Sequence, residues 1–362
     1  MNLHLLQDSP FYADYFMDRV KKLNIKGQKF VYLNKDKPLQ YIKSEGVLRM
    51  GLDDDIQDFL QRNKIDRVYI HNLTNTSMKF LDLLPNNIEI YWFFWGWDGY
   101  RHPKMKKQLY LPSTVDFLKK RNTRSSLLLK WYEFRNFLFE IKLNKALRKI
   151  DYCCNQVQGD FDLIKNLSHK FKMKHVFFAY SGINQNFQKI SVEKYSNNAL
   201  KILLGNSANP TNNHIDILIK LKPYSNHISE IICPLSYSGK QDYIEEVIRV
   251  GTTLFGSKFI PLRKFLPLDD YKEILRTVDV GIFYHIRQQA YSNTIGLLEY
   301  RKRVLLHPKS TLYKMYSDFK VQNVFCNLDR LLKTDEMIHD NSLLYDRLSE
   351  EAIDYYYYSV LT

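Results

Sequence analysis

A polar turn near the C-terminal end of the chain carries the side chains best suited to bind an anion. The turn holds a cation, two amides and two hydroxyls, on Arg287, Gln288, Gln289, Ser292 and Thr294. A helix is predicted to begin at about Thr294, and the free N–H groups at a helix start attract anions such as a diphosphate. We therefore predict that these five residues hold the phosphates of a nucleotide. The plain alternative is a polar loop that caps an ordinary helix.

The elements around this turn predict where it lies. Residues 280–284 before it and 304–306 after the helix are apolar runs without alternation. Such runs indicate strands that are covered on both faces, as in a parallel sheet. In an open α/β sheet, ligands bind beyond the carboxyl ends of the strands. The turn is therefore placed at a ligand-binding edge.

A second, weaker phosphate signal follows the apolar run 199–204. Here Gly205, Asn206 and Ser207 precede a helical stretch. Glycine permits close approach of a ligand to the backbone, and small polar residues supply donors and a helix cap. The pattern is neither a P-loop nor GxGxxG. Strands and helices alternate through this half, which predicts a Rossmann-like domain.

Strands also alternate with helices in the first hundred residues, and three ionisable residues come just past strand ends. They are Asp8, His71 and Asp98. We expect them along one rim of a second doubly wound sheet, where a site would be. Each has a plain alternative: Asp8 as a turn or cap residue, His71 as a structural histidine, and Asp98 as part of a glycine-rich turn.

The chain carries a net charge of +14, concentrated in one segment. Residues 101–149 hold 14 Lys or Arg against three acidic residues. The segment reads as an amphipathic, aromatic helix with a cationic face, which suits the interface of an anionic membrane. A core-facing helix with a solvated basic side is the alternative. The residues predicted to contact the membrane are Lys119, Lys120, Arg121, Arg124, Lys130, Trp131 and Arg135.

Length and composition predict a globular protein of two α/β domains. The chain has 362 residues, 45% of them hydrophobic, which suits two cores. We expect an N-terminal domain over 1–190, a C-terminal domain over 191–340, and a final helix over 341–362 that packs back on the first domain. Four cysteines without metal-ligand spacing indicate a reduced, cytoplasmic protein. Neither a signal peptide nor a membrane-spanning run is expected.

Several segments together carry a family resemblance. They are ILLGNSANPTNNH, ICPLSYSGKQDYIEEVIRVG, LPLDDYKEILRTVDVGIFYHIRQQ and WFFWGWDGY, with HLLQDSP and His71 matching more loosely. With these pieces the chain resembles glycosyltransferase family 56. Its bacterial members add 4-acetamido-4,6-dideoxygalactose from a dTDP donor to a polyprenyl-diphosphate-linked saccharide of the enterobacterial common antigen.

The resemblance implies a GT-B architecture, with two Rossmann-like domains facing across a cleft. The donor nucleotide would lie in the C-terminal domain, contacting Pro234 and Tyr237 besides the two turns. The acceptor and the cytoplasmic face of the bacterial inner membrane would contact the N-terminal domain. No cofactor or metal is implied, and Asp53-Asp54-Asp55 is interpreted as a helix cap rather than a metal motif. Glu299 departs from the family pattern and resembles the glutamate that other GT-B enzymes place near the donor sugar or ribose.

The predicted reaction breaks a sugar–phosphate bond. Arg287 and the helix start would stabilise the leaving diphosphate, and a base from the other domain would activate the acceptor hydroxyl. Asp98 is the first candidate base, with His71 and Asp8 next. Alternatives are another nucleotide-sugar donor in O-antigen or capsule synthesis, a sugar-nucleotide epimerase on the same fold, and, more remotely, a basic nucleic-acid-binding protein.

Overall fold

Apolar runs alternate with amphipathic stretches along the chain, and they fold into two compact units. The computed structural model describes residues 1–9, 12–121, 126–194 and 199–362, without the side chains of 126–130 and 132. The N-terminal unit comprises Met1–Met105, Ser126–Gly182 and Leu348–Thr362. The C-terminal unit comprises Lys106–Ser125 and Ile183–Arg347.

The described strands are two to seven residues long. In chain order they are β1 (Asn2–Leu6), β2 (Gln28–Tyr32), β3 (Val47–Arg49), β4 (Arg67–Ile70), β5 (Glu89–Phe93), β6 (Tyr152–Asn155), β7 (Lys174–Phe177), β8 (Ser191–Lys194), β9 (Leu200–Leu204), β10 (Ile228–Pro234), β11 (Phe259–Leu262), β12 (Val280–Phe283), β13 (Arg303–Leu306), β14 (Val324–Phe325) and β15 (Glu336–His339).

Helices connect most of the parallel strands, as crossover connections require. In chain order they are α1 (Ala13–Lys22), α2 (Ile56–Arg62), α3 (Asn75–Leu83), α4 (Trp97–Tyr100), α5 (Pro103–Lys106), α6 (Pro112–Lys120), α7 (Ser126–Lys149), α8 (Gln158–Lys165), α9 (His214–Leu221), α10 (Gln241–Phe255), α11 (Leu268–Thr277), α12 (Tyr291–Glu299), α13 (Thr311–Asp318), α14 (Leu328–Leu332), α15 (Ser342–Leu348) and α16 (Glu350–Leu361). Asp55 caps α2 through the N–H of Asp58, so the interpretation of the aspartate run as a helix cap is confirmed.

The sheet of the N-terminal unit is parallel, with the order β3-β2-β1-β4-β5-β6-β7 among the described residues. One face carries an aromatic ladder. His4, Tyr69, Tyr91 and Tyr152 are in register on four neighbouring strands, and their ring centroids lie 4.6, 4.7 and 4.5 Å apart. Stacked cross-strand pairs stabilise a sheet. The chain has 26 Tyr and 22 Phe residues, and part of this aromatic content serves the sheet.

The C-terminal unit holds the second parallel sheet, ordered β11-β10-β9-β12-β13-β14 in the described part of the chain. All four residues of β12 and all four of β13 are buried, as expected for strands covered on both faces. Strand β9 lies beside both β10 and β12. The turns that follow these three strands therefore lie together at one edge.

The two units differ from the predicted domains in where α6 belongs. This helix lies inside the predicted N-terminal domain but packs in the C-terminal unit. The carboxylate of Asp216 accepts hydrogen bonds from the backbone N–H groups of Ser113 and Thr114, at 2.7 and 3.0 Å, and from the Thr114 hydroxyl at 2.7 Å. A carboxylate at a helix start satisfies N–H groups that have no partner within the helix. The side chain of Asp216, about a hundred residues away in the sequence, thus caps the start of α6.

Three expectations from the local sequence need correction. The polar run 182–198 suggests a linker between the domains, but its residues 191–194 form β8, which pairs with β15 in an antiparallel ribbon. Helix α12 begins at Tyr291, three residues before Thr294. The sequence suggests a helix from Asp242 to Val250 that ends at Gly251, but helix α10 continues to Phe255. A Cβ on Gly251 would lie 2.6 Å from the ring of Phe259, so close packing rather than helix termination accounts for this glycine.

Candidate functional site

The carboxyl ends of the strands in each unit, with the turns that follow them, form what we call that unit's rim. In the C-terminal unit the rim contains Gly205, Asn206 and Ser207 after β9 and Arg287, Gln288 and Gln289 after β12. Because the two strands are parallel neighbours, the two predicted phosphate turns lie side by side. This edge is the expected ligand position in an open α/β sheet.

Side-chain hydrogen bonds join these turns into one surface. Gln289 Nε2 donates to Asn206 Oδ1 at 2.8 Å, and the Thr211 hydroxyl donates to Gln289 Oε1 at 2.6 Å. Asn206 Nδ2 in turn donates to the hydroxyl of Tyr237, after β10, at 3.3 Å. Gln289 is buried and both ends of its amide are engaged. It therefore holds the turns together rather than presenting its amide to a ligand.

Gly205 has a steric role in this rim. Its φ is +70°, and a Cβ there would lie 2.6 Å from Nε2 of His214 and 3.2 Å from Oδ1 of Asn212. His214 is fully buried, and burial lowers its pKa to about 3. The glycine thus makes room for a neutral buried histidine, whereas the sequence suggested room for a ligand. Ser207 is buried as well, and its carbonyl accepts a hydrogen bond from Asn212 Nδ2 at 2.9 Å.

Of the side chains predicted to bind phosphate at the start of α12, some are exposed and others are buried. Ser292 is exposed, and Arg287 and Gln288 are half-buried. Thr294 is fully buried; its hydroxyl lies 2.6 Å from the hydroxyl of Tyr316, and its N–H bonds to Ala290 within the helix. The backbone N–H groups of the first turn, 291–293, have no partner within the helix. An anion at this helix start would therefore meet those amides and Arg287.

Two further residues were predicted to contact the nucleotide-sugar donor, and of these Pro234 belongs to the rim whereas Glu299 does not. Glu299 ends α12, about 12 Å along the helix axis from Tyr291 at 1.5 Å per residue. It is thus at the opposite end of the helix from the phosphate turn. Pro234 is the buried last residue of β10 and supports the turn that carries Tyr237.

His285 was not singled out from the sequence, although it directly follows the β12 run. It is fully buried, and burial, reinforced by the nearby Arg287 charge, lowers its pKa to about 3. A neutral ring thus lies beneath the turn that carries the cation.

In the N-terminal unit, His71 is part of a buried hydrogen-bonded chain. Its Nε2 lies 3.0 Å from Nδ1 of His4, its Nδ1 lies 2.8 Å from the hydroxyl of Tyr180, and Nε2 of His4 lies 2.8 Å from Oε1 of Gln28. The Gln28 oxygen can only accept, so each histidine carries its proton on Nε2, and Tyr180 donates to His71. Burial lowers the pKa of both rings, that of His4 to about 4. Both nitrogens of His71 are thus engaged inside the protein.

Asp98 is also buried and engaged. Its carboxylate accepts hydrogen bonds from Trp92 Nε1 at 2.8 Å and from the N–H groups of Leu73 and Trp95, both at 3.2 Å. These donors follow or belong to β4 and β5, so the carboxylate ties two strand ends together. Burial raises the pKa of Asp98 despite these donors. The geometry is that of a structural anchor rather than of an exposed base.

Asp8 reaches the surface but supports a loop. Its carboxylate accepts hydrogen bonds from the N–H groups of Gln40, Tyr41 and Ile42, at 2.7 to 3.0 Å. Partial burial opposes ionisation, but these donors outweigh it and lower the pKa of Asp8. Of the three predicted bases, Asp8 is the one whose side chain is not fully buried.

The rim of the N-terminal unit contains a cavity of about 200 Å³ whose polar lining is neutral. Asn72 is buried, and within the described residues its Oδ1 has no hydrogen-bond partner. Thr74 and Ser77 close a capping box at the start of α3. Neutral amides and hydroxyls suit a hydroxyl-rich ligand. The lining residues are Leu5, Leu6, Gln7, Tyr32, Leu33, Asn34, Asn72, Thr74, Thr76 and Ser77.

The predicted membrane residues divide between the units. Lys119, Lys120 and Arg121 belong to the C-terminal unit, where Arg121 pairs with Asp242. Trp131 and Arg135 lie on α7 in the N-terminal unit, with the guanidinium 4.7 Å from the ring centroid. Arg124 and the side chain of Lys130 lie outside the described residues.

Helix α7 presents large apolar side chains to solvent. Among the described side chains of this helix, five are between 41% and 58% exposed: Trp131, Phe134, Phe137, Leu138 and Ile141. Over the part of the chain that the structure describes, no helix is both long and apolar enough to cross a bilayer.

Metal-binding side chains do not converge in the described ranges, where no three His, Cys, Asp or Glu residues form a group that could hold an ion. The four cysteines are free thiols.

The fold defines a class of protein. A parallel Rossmann-like sheet in each unit is the architecture of GT-B glycosyltransferases, and the chain is similar to solved members. One is a glycosyltransferase from Rickettsia africae ESF-5, with a TM-score of 0.59 and 11% identity over 99% of this chain and 97% of that one. Another is a trehalose-6-phosphate structure from E. coli bound with UDP-2-fluoro-glucose, with a TM-score of 0.57 and 11% identity over 100% and 99%. At such identity the likeness shows the fold.

The family follows from a separate comparison. The profile described as 4-alpha-L-fucosyltransferase, glycosyl transferase group 56, matches residues 130–344, which is more than half of the chain. The chain therefore belongs to glycosyl transferase group 56 and is a glycosyltransferase.

Proposed function

We propose that this enzyme transfers a deoxyamino sugar from a dTDP donor to a polyprenyl-diphosphate-linked saccharide in bacterial surface-polysaccharide synthesis. The first candidate sugar is 4-acetamido-4,6-dideoxygalactose, and the first candidate pathway is that of the enterobacterial common antigen. The family description names a fucosyl transferase. Fucose is itself a 6-deoxygalactose, so the proposed donor shares its carbon skeleton and adds an acetamido group.

The observation that carries the proposal is the rim of the C-terminal unit. There the turn that carries Arg287 connects β12 to the start of α12, and it lies next to the turn after β9. A diphosphate bound at this point would face a guanidinium, the hydroxyl of Ser292 and the first backbone amides of the helix. Gln289 and Asn206 would hold the two turns at a fixed spacing. In this proposal Gln289 positions the two turns, and the phosphates are contacted directly by Arg287, Gln288 and Ser292.

In the proposed reaction the acceptor hydroxyl oxygen bonds to the anomeric carbon of the donor. The bond from that carbon to the phosphate oxygen breaks, and its electron pair leaves with dTDP. Arg287 and the helix start compensate the negative charge that grows on the leaving group, as preorganised electrostatics. The hydroxyl proton passes to a base. We retain Asp8 among the predicted bases, because its carboxylate reaches the surface whereas Asp98 and His71 are enclosed.

We further propose that no metal takes part, since the guanidinium and helix start supply the positive charge that a divalent ion would otherwise provide. The site of action would be the cytoplasmic face of the inner membrane. Trp131 and Phe134 on the exposed face of α7 would insert at the interface, and Arg135 would meet anionic headgroups.

A thermal-shift panel of dTDP, UDP, GDP and CMP, each with and without EDTA, tests the proposal. A nucleotide at about 100 times its Kd adds roughly 2.7 kcal/mol to the free energy of unfolding. We expect a shift with dTDP that EDTA leaves unchanged. A larger shift with UDP or GDP would overturn the dTDP donor, a shift abolished by EDTA would overturn metal independence, and no shift with any nucleotide would overturn the donor site.

A further inference from the structure

Two exposed aromatic rings stand beside the proposed phosphate site. Phe265 follows β11 by three residues and is 78% exposed, and Tyr237 follows β10 by three residues and is 45% exposed. Their strands are parallel neighbours, so both rings belong to the rim of the C-terminal unit. The ring centroids are 6.4 Å apart and the planes meet at 67°.

The two rings lie at the end of the row of residues that the hydrogen bonds from Gln289 to Asn206 and from Asn206 to Tyr237 connect. The sheet order β11-β10-β9-β12 places Phe265, Tyr237, Asn206 and Gln289 in that sequence along the rim. Neighbouring strands lie about 4.8 Å apart, so about 14 Å of rim separates the turn after β11 from the turn after β12. An extended nucleoside diphosphate has a comparable length. A diphosphate at Arg287 would therefore direct its nucleoside toward the two rings.

A single exposed apolar side chain is ordinary on a protein surface and calls for no ligand. The pair differs because two rings meet nearly edge to face and form a corner. A flat base can stack on one ring while its edge contacts the other. Arg263 and Lys264 precede Phe265 in the same turn and add positive charge at this end of the rim.

We infer that Phe265 and Tyr237 form the binding corner for the nucleobase of the donor, with Phe265 as the stacking ring. The inference rests on the proposed function, since it requires a nucleotide-sugar donor. Tyr237 has a second task, because its hydroxyl accepts the hydrogen bond from Asn206 and so couples base binding to the phosphate turns.

Titration of dTDP into wild-type protein and the variants Phe265→Ala, Phe265→Trp and Leu268→Ala tests the inference. Removing a stacking ring weakens base binding by about 1–3 kcal/mol, or roughly 5- to 150-fold in Kd. We expect Phe265→Ala to raise the Kd for dTDP at least tenfold, Phe265→Trp to retain affinity, and dTDP to quench the fluorescence of the new tryptophan. Leu268 is 68% exposed on the same segment, and its replacement should leave the Kd unchanged.

Two results would overturn the inference while the donor site stands: an unchanged Kd in Phe265→Ala, or a loss in Phe265→Trp equal to that in Phe265→Ala. Absence of dTDP binding to the wild-type protein would instead overturn the dTDP donor itself. Circular dichroism and the melting temperature without ligand verify that each variant is folded. The two kinds of failure are therefore distinguishable.

Discussion

The rims of the two units follow strands of the same kind, yet they present opposite chemistry. In the N-terminal unit the ionisable side chains Asp98 and His71 face inward, and the cavity at the surface is lined by neutral amides and hydroxyls. In the C-terminal unit the turns present Arg287, Ser292 and two aromatic rings. A cavity with a neutral polar lining suits a saccharide, and a cationic, aromatic rim suits a nucleotide. Both sheets have the same kind of carboxyl edge, and the residues in the turns at that edge determine which ligand it suits.

The largest expected effect concerns a feature that the two units share, neutral histidines buried beneath the rim. Burial lowers the pKa of His4 to about 4 and that of His214 and His285 to about 3. In the unfolded chain these histidines take up protons near pH 6.5, whereas in the folded state they stay neutral. The free energy of unfolding is therefore highest above pH 6.5 and falls as the pH drops toward 4. At pH 5 each ring costs about 2 kcal/mol, or about 6 kcal/mol for the three.

Melting temperatures from pH 8 to pH 5 measure this loss, and the drop should begin below pH 6.5. The variant His169→Gln, which changes an exposed histidine, should follow the wild-type curve. A melting temperature that stays constant down to pH 5 would show that the buried rings are protonated in the folded state.

Arg287→Ala tests the cationic character of the C-terminal rim. Loss of one preorganised group that stabilises the leaving charge lowers kcat by about 10²- to 10³-fold. Steady-state sugar transfer measures the effect, and Arg287→Lys should recover part of it because lysine keeps the charge but not the fork geometry. Arg249→Ala is the matched control, since Arg249 pairs with Glu246 on the surface of α10. If Arg287→Ala kept the wild-type kcat, the proposal that Arg287 stabilises the charge on the leaving diphosphate would be wrong.

Asp98→Ala tests whether the N-terminal rim uses this carboxylate for structure. Trp92 Nε1 and the N–H groups of Leu73 and Trp95 would lose their buried acceptor. We expect the free energy of unfolding to fall by about 3 kcal/mol, at 1–3 kcal/mol per unsatisfied buried group with partial relaxation. Denaturant titration measures it. If stability were retained while transfer was abolished, Asp98 would be a catalytic group after all.

Gly205→Ala separates two explanations for the glycine in the C-terminal rim. Alanine at φ +70° is strained, and its Cβ would press on His214. We expect a loss of about 2 kcal/mol in the free energy of unfolding. Gly256→Ala, at φ +57° with nothing within 4 Å, should cost about 1 kcal/mol from the backbone alone. Equal losses in the two variants would show that the contact with His214 does not matter.

The double variant Phe134→Ser, Phe137→Ser gives the smallest expected effect and concerns a surface outside both rims. Losing two exposed apolar rings from α7 should weaken binding to anionic vesicles roughly tenfold, through lost apolar burial. Co-sedimentation with vesicles measures it, with Leu343→Ser, an exposed apolar residue of the C-terminal unit, as the control. Unchanged sedimentation would exclude α7 as the membrane surface, and tighter binding to DNA than to vesicles would favour a nucleic-acid partner.

Much of this architecture could be predicted from the sequence, because apolar runs such as 280–284 and 304–306 indicate buried parallel strands. The positions of Asp8, His71 and Asp98 after strands were predictable for the same reason. The burial of His71 and Asp98 was not predictable, since the direction of a side chain at a strand end depends on partners such as His4 and Leu73, which lie 67 and 25 residues away in the sequence.

Two other differences have the same origin. Helix α6 joins the C-terminal unit because Asp216, about a hundred residues later, caps it. Thr294 could be expected at the helix start from its type alone, yet its hydroxyl contacts Tyr316 inside the unit. Local pattern predicts which elements form, whereas caps and buried contacts between distant residues decide where the functional side chains point.

Hydrogen–deuterium exchange with and without dTDP tests the central contrast between the rims most directly. Bound dTDP should slow exchange at 205–207, 237–239, 265–267 and 287–293 in the C-terminal unit, and leave 72–77 in the N-terminal unit unchanged. The first-turn amides of α12 should show the strongest protection, because they would donate directly to the diphosphate. Protection confined to 72–77, with none at the turns after β9 and β12, would contradict the assignment of the donor to the C-terminal rim.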